Sequence, residues 1–87
     1  MKRRAPLVLV VDDDPIVRIL SEQSLRAADF EVVSLADAER VLERMDEIRP
    51  DVLLLDIQLP GGDGFTLCEQ LRHHETGKNV PIVVMTA

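Results

Sequence analysis

Three short apolar runs in this chain each end on an oxygen-bearing side chain. Leu7-Val8-Leu9-Val10-Val11 runs into Asp12-Asp13-Asp14, Val52-Leu53-Leu54-Leu55 into Asp56, and Ile82-Val83-Val84-Met85 into Thr86. Runs of four or five apolar residues without polar alternation predict strands buried on both faces, as in a parallel sheet covered by helices. Residues 30–35 read as a further, shorter strand. Helical signals lie between the runs. Asp14-Pro15 supplies an N-cap followed by proline at the first helical position. That helix runs to about Ala28, with Ile16, Ile19, Leu20 and Leu25 among its apolar positions, and Asp29 stands where a left-handed glycine is usual. Ser34-Leu35-Ala36-Asp37 has the spacing of a capping box, with Asp in place of Glu. Ala38, Val41, Leu42 and Met45 then mark one buried helical face, which Arg49-Pro50 ends. Residues 59–64 are a loop by composition. A third helix over 65–73 buries Leu67, Cys68 and Leu71, and 74–80 is a polar connection. Strand and helix alternate throughout, which predicts an α/β fold with right-handed crossovers.

With 87 residues the chain has room for one domain. Its net charge of −6 lacks the basic footprint of a nucleic-acid binder. The one basic cluster, Lys2-Arg3-Arg4, reads as a solubilising tail over residues 1–6. A single cysteine, Cys68, excludes an internal disulfide and fits a reducing compartment. No apolar run approaches the roughly 20 residues of a membrane span, and the apolar stretch after the basic start is too short for a signal peptide. These features predict a cytoplasmic protein with no membrane contact.

In parallel α/β sheets, ligands sit outside the carboxyl ends of the strands. The first, third and fourth strands therefore bring Asp12-Asp13-Asp14, Asp56 and Thr86 to one edge. Two carboxylates about 4 Å apart repel by roughly 4 kcal/mol at an effective dielectric near 20. Protons or a cation must offset that, and a hard divalent ion with oxygen ligands, such as Mg²⁺, suits the site. A neutralised carboxylate edge admits a phosphoryl group, and one aspartate can attack it. Asp14 reads as a helix cap. Gly61, Gly62 and Gly64 lack the lysine-serine ending of a P-loop and read as turn residues. His73 and His74 suit a helix C-terminus and carry no further role.

Val10-Val11-Asp12-Asp13-Asp14-Pro15, Leu54-Leu55-Asp56 followed by Leu59-Pro60 and Asp63-Gly64, and Val84-Met85-Thr86-Ala87 together resemble the receiver domains of two-component response regulators. The resemblance spans the chain. It implies a flavodoxin-like, doubly wound parallel sheet, here in the order 2-1-3-4. It implies that Asp56 accepts a phosphoryl group from a histidine kinase or phosphotransfer protein. Asp12, Asp13, Asp56 and the backbone carbonyl of Gln58 would hold Mg²⁺, and the Thr86 hydroxyl would bond the phosphoryl group and act in the switch. The signal would pass to an effector domain or partner, without direct nucleic-acid binding by this segment.

The family's pattern continues with a fourth helix, a fifth strand and a fifth helix, and places a lysine at the end of that strand. Residues 1–87 thus read as a partial receiver lacking the fifth strand and last two helices. Lys2 and Lys78, the only lysines, precede strands and lie at the wrong edge. One helix on one face cannot cover four strands, so apolar side chains and the fourth strand's edge are expected to be bare, which invites an edge-paired dimer. A second reading is a degenerate partial receiver that binds protein without phosphorylation. A third, a haloacid-dehalogenase-like phosphotransferase, requires an aspartate where Gln58 stands.

Overall fold

The structure, a computed structural model, describes residues 5–56, 58, 59 and 64–85. The expectations for Lys2-Arg3-Arg4, the Gly61-Gly62 turn and Thr86 fall outside the described residues. Four strands, β1 (Leu7–Val11), β2 (Glu31–Leu35), β3 (Val52–Asp56) and β4 (Ile82–Met85), alternate with α1 (Pro15–Ala27), α2 (Ala38–Ile48) and α3 (Gly64–Arg72). All pairings are parallel and the sheet order is β2-β1-β3-β4. Val11 registers with Leu55 and Asp56 with Met85, so the ends of β1, β3 and β4 share one edge.

Parallel strands project alternate residues to opposite faces. Leu9, Val11, Leu53 and Leu55 face α2 and α3, where they pack with Val41, Met45, Ile48, Leu67 and Leu71 in a closed core. Val8, Val10 and Val32 face α1 with Leu25, Phe30, Val52 and Leu54. α1 packs mainly over β2 and β1. Its Ile16, Ile19 and Leu20 are therefore exposed, as are Val83 and Val84 on the edge strand β4. The expectation of bare apolar groups on the α1 side and along β4 is met. Cys68 is half-buried against the α2/α3 core rather than inside it.

Each helix end has an identifiable cause. The Asp14 side chain accepts from the Ile16 amide at 2.9 Å and caps α1, with Pro15 at its start. Beyond the Ala28 cap, Asp29 adopts φ 70, the left-handed conformation expected there. The start of α2 corrects the capping-box expectation. Ser34 lies within β2, paired with Val10, and its hydroxyl bonds the Glu22 carboxylate. Asp37 is itself the cap, accepting from the Arg40 amide at 3.0 Å. Strand pairing claims Ser34 before the helix begins. At the other end Arg49 takes φ 48 as a left-handed C-cap, its N–H donating to the Met45 carbonyl at 2.9 Å, and Pro50 follows where the helix cannot continue.

The connection from α3 to β4 is ordered by side chains. His74 Nδ1 accepts from the amides of Thr76 (3.1 Å) and Gly77 (3.3 Å). Arg72 donates to the carbonyls of Lys78 and Val80, and the Thr76 hydroxyl bonds Asp46 on α2. A Cβ at Gly77 would stand 2.8 Å from Leu71 Cδ2 and 3.2 Å from its carbonyl oxygen, so only glycine lets the turn approach the core this closely. His74 thus has a structural role that the expectation of an idle helix-end histidine missed.

Candidate functional site

β1 leads into Asp12, which is held at all three of its polar groups. Its N–H donates to the Leu35 carbonyl at 3.1 Å, its carbonyl accepts from Arg18 Nη1 at 2.8 Å, and its Oδ1 accepts from the Asp14 amide at 2.9 Å. Asp12 is only 5% exposed, the one buried charged residue among those described. Burial pushes its carboxyl above the ordinary value of 3.8; the Asp14 amide draws it back, and the charges of Asp56, Asp13 and Asp14 push it up further. Asp13 follows, exposed, in the turn before α1.

Asp56 is the last residue of β3 and is half-buried. Its Oδ1 accepts from the Gln58 amide at 2.9 Å, a local turn that fixes the carboxyl. One oxygen from each of Asp12, Asp13 and Asp56 lies within 4.8 Å of the others. At that spacing two full charges repel by about 3.5 kcal/mol at an effective dielectric near 20, and less where water screens the exposed Asp13. The structure keeps these groups together because sheet register puts the ends of β1 and β3 side by side, whatever their charge.

The three aspartates line an open cleft of about 470 Å³ with Asp14, Val17, Gln58 and Met85. Of the site residues read from the sequence, Asp12, Asp13, Asp56 and Gln58 are brought together. Thr86 lies outside the described residues, and Met85 before it lines the cleft. Lys78 sits in the connection ahead of β4, at the opposite edge, where it pairs with Glu75 at 3.5 Å. Val17 and Arg18 were missed. Their signal is helical spacing: Arg18 stands four residues after the cap Asp14 and its amide donates to the Asp14 carbonyl at 3.0 Å, so it lies one turn above the strand end.

The donor set suits a hard cation. All three groups are carboxylates, and Asp12 and Asp56 each accept one amide N–H, leaving a second oxygen without a hydrogen bond among the described residues. Such an arrangement binds Mg²⁺ or Ca²⁺ more naturally than zinc, which favours nitrogen and sulfur.

Known proteins share this frame. The response regulator receiver domain family matches residues 8–87. The DNA-binding dual master transcriptional regulator RpaA of Synechocystis sp. is 34% identical over 82 residues, covering 94% of this chain and 34% of that protein. The chain spans about a third of the length of the first curated relatives it matches. The N-terminal domain of a response regulator receiver protein from Methanoculleus marisnigri superposes with a TM-score of 0.90 at 27% identity, covering 94% of this chain and 67% of that one. The receiver domain of a sensor histidine kinase from Pseudomonas aeruginosa, whose structure has a magnesium ion coordinated in the active-site cleft, gives a TM-score of 0.88 at 31% identity over 95% of this chain and 68% of that one. The family match covers nearly every residue, and the described fold superposes closely on these two receiver domains. This chain belongs to the receiver domains of two-component response regulators.

Proposed function

We propose that this receiver accepts a phosphoryl group on Asp56 from a histidine kinase or phosphotransfer protein, with Mg²⁺ held by Asp12, Asp13, Asp56 and the Gln58 backbone carbonyl. The observation that carries this reading is the convergence of the Asp12, Asp13 and Asp56 oxygens within 4.8 Å, in a cleft open to a donor. Mg²⁺ at this position supplies positive charge against the carboxylates and the incoming phosphoryl oxygens.

The chain's own residues then divide the work. The Gln58 amide fixes the Asp56 carboxylate through Oδ1, and one carboxylate oxygen attacks phosphorus. The new bond joins that oxygen to phosphorus, and the phosphorus–nitrogen bond to the donor imidazole breaks. The electron pair stays on the imidazole nitrogen, which takes up a proton, and Asp56 becomes an acyl phosphate. Asp12 is buried and held by the Asp14 amide, so it keeps its place as the charges change. The Thr86 hydroxyl bonds the phosphoryl group and reports its presence; Thr86 follows Met85, which lines the same cleft. The reaction is a modification of the protein, not turnover of a separate substrate. The signal passes to an effector domain or partner. A DNA-binding regulator such as RpaA represents one kind of output.

The test is labelling by a small phosphodonor with and without Mg²⁺, using the protein as its gene encodes it. Labelling is expected to be acid-stable only briefly, to need the metal, and to vanish in Asp56→Asn, because an amide cannot form the acyl phosphate. Full labelling of Asp56→Asn would move the acceptor elsewhere.

A further inference from the structure

Arg18 is the one cation among the described residues whose hydrogen bond falls on the main chain of the acidic cluster. Its guanidinium forms no ion pair there with Asp12, Asp13 or Asp56. Its Nη1 instead reaches the carbonyl of Asp12 at 2.8 Å, a charge-assisted bond at the short end of the N–H···O range.

That carbonyl has a special position. It belongs to the peptide group that joins Asp12 to Asp13. A peptide group is planar, so holding its oxygen fixes the whole plane, and with it the direction in which the next residue leaves. The Asp12 N–H is already tied to Leu35 on β2, and its carboxylate to the Asp14 amide. Arg18 adds the remaining restraint, and its own amide is tied to the Asp14 carbonyl at 3.0 Å. Asp12, Asp13 and Asp14 are thereby strapped between the strand end and the first turn of α1. This matters because the three carboxylates repel. Without the strap, the exposed Asp13 could relieve repulsion by rotating its peptide away from Asp12 and Asp56.

We propose that Arg18 is a positioning residue: it locks the Asp12–Asp13 peptide so that both carboxylates are presented to one cation. The inference rests on the metal-binding reading above and deepens it. Charge and geometry predict opposite signs. A nearby positive charge weakens binding of a cation, so if charge were its only effect, removing Arg18 would tighten Mg²⁺. If the strap is its role, removing it weakens Mg²⁺ although a repelling charge has gone.

The experiment measures Mg²⁺ affinity calorimetrically in the protein as its gene encodes it, alongside amide exchange at Asp14. The amide of Arg40, capped by Asp37 at the start of α2, has no bond to Arg18 or the Asp12–Asp13 peptide and serves as the internal reference. Arg18→Met is expected to bind Mg²⁺ about tenfold more weakly, the lower end of what loss of an outer-shell partner costs. It should also speed exchange at Asp14 but not at Arg40. Arg18→Lys, which keeps one charged donor, is expected to recover part of both losses. Equal or tighter Mg²⁺ binding by Arg18→Met would overturn the proposal. If Arg18→Met fails to fold, Arg18→Lys decides: weaker binding than the parent supports the strap, and equal binding with unchanged Asp14 exchange overturns it. A parent protein that bound no Mg²⁺ would refute the metal reading itself, while exchange at Asp14 would still decide whether Arg18 holds the peptide.

Discussion

The two faces of the sheet are built from similar residues and finish very differently. On the α2/α3 face, Leu9, Val11, Leu53 and Leu55 are fully buried and meet Val41, Met45, Leu67 and Leu71. On the α1 face, Val8 and Val10 are buried, but Leu54 is only partly covered and Val83 is 52% exposed. α1 leaves Ile16, Ile19 and Leu20 exposed, with Ile16 at 66%. Two helices close the first face over β1 and β3, leaving only Val84 of β4, registered with Leu55, exposed there. One helix over β1 and β2 leaves β3 and β4 less covered on the other. The comparison teaches that buried apolar area, not strand pairing, separates the two halves, because the hydrogen-bonded ladders are continuous across all four strands.

Substitution on each face gives the sharpest contrast. Leu53→Ala on the closed face should cost about 2–5 kcal/mol, the range for emptying a well-packed leucine site. Denaturant unfolding checks this, and a cost below about 1 kcal/mol would mean that the face is less well packed than described. His74→Ala comes next. It strips the acceptor from the Thr76 and Gly77 amides and should cost about 1–2 kcal/mol, read by the same unfolding curve and by faster exchange of those two amides. Asp37→Ala removes the cap of α2, the lid of the closed face, and should cost about 1 kcal/mol. Val83→Thr on the open face should change the stability of this 87-residue chain by no more than about 0.5 kcal/mol. A cost above about 2 kcal/mol for that substitution in a longer protein would show that a further element covers the open face there.

Much of this was legible in the sequence because the signals were local. Fully apolar runs marked three of the four strands, Asp14-Pro15 the start of α1, and the Ala38, Val41, Leu42 and Met45 spacing the face of α2. The acidic site was legible in two steps: parallel strands end at one edge, and the sheet order that the family resemblance implies sets β1 beside β3, which brings Asp12, Asp13 and Asp56 together. What stayed hidden depended on which of two local options the tertiary structure chose. Ser34 fits a capping box, but β2 pairing with Val10 extends through it and passes the cap to Asp37. His74 resembles a solvent-facing helix end, and only the turn that follows folds its ring nitrogen onto two amides. Arg18 looks like an ordinary charged position in an amphipathic helix. Its bond to the Asp12 carbonyl depends on how α1 leaves the strand, which residue spacing suggests but does not fix.

The central claim is that Asp56, not its acidic neighbours, carries the phosphoryl group. The most direct measurement is reductive trapping. Borohydride reduces an acyl phosphate to an alcohol, leaving homoserine in place of the modified aspartate, which peptide mass mapping locates. After treatment with a small phosphodonor and Mg²⁺, homoserine is expected at position 56 alone, and at no position when the donor or the metal is omitted. Trapping at position 12 or 13, or a phosphoryl group recovered on His73 or His74 with position 56 unmodified, would contradict the account.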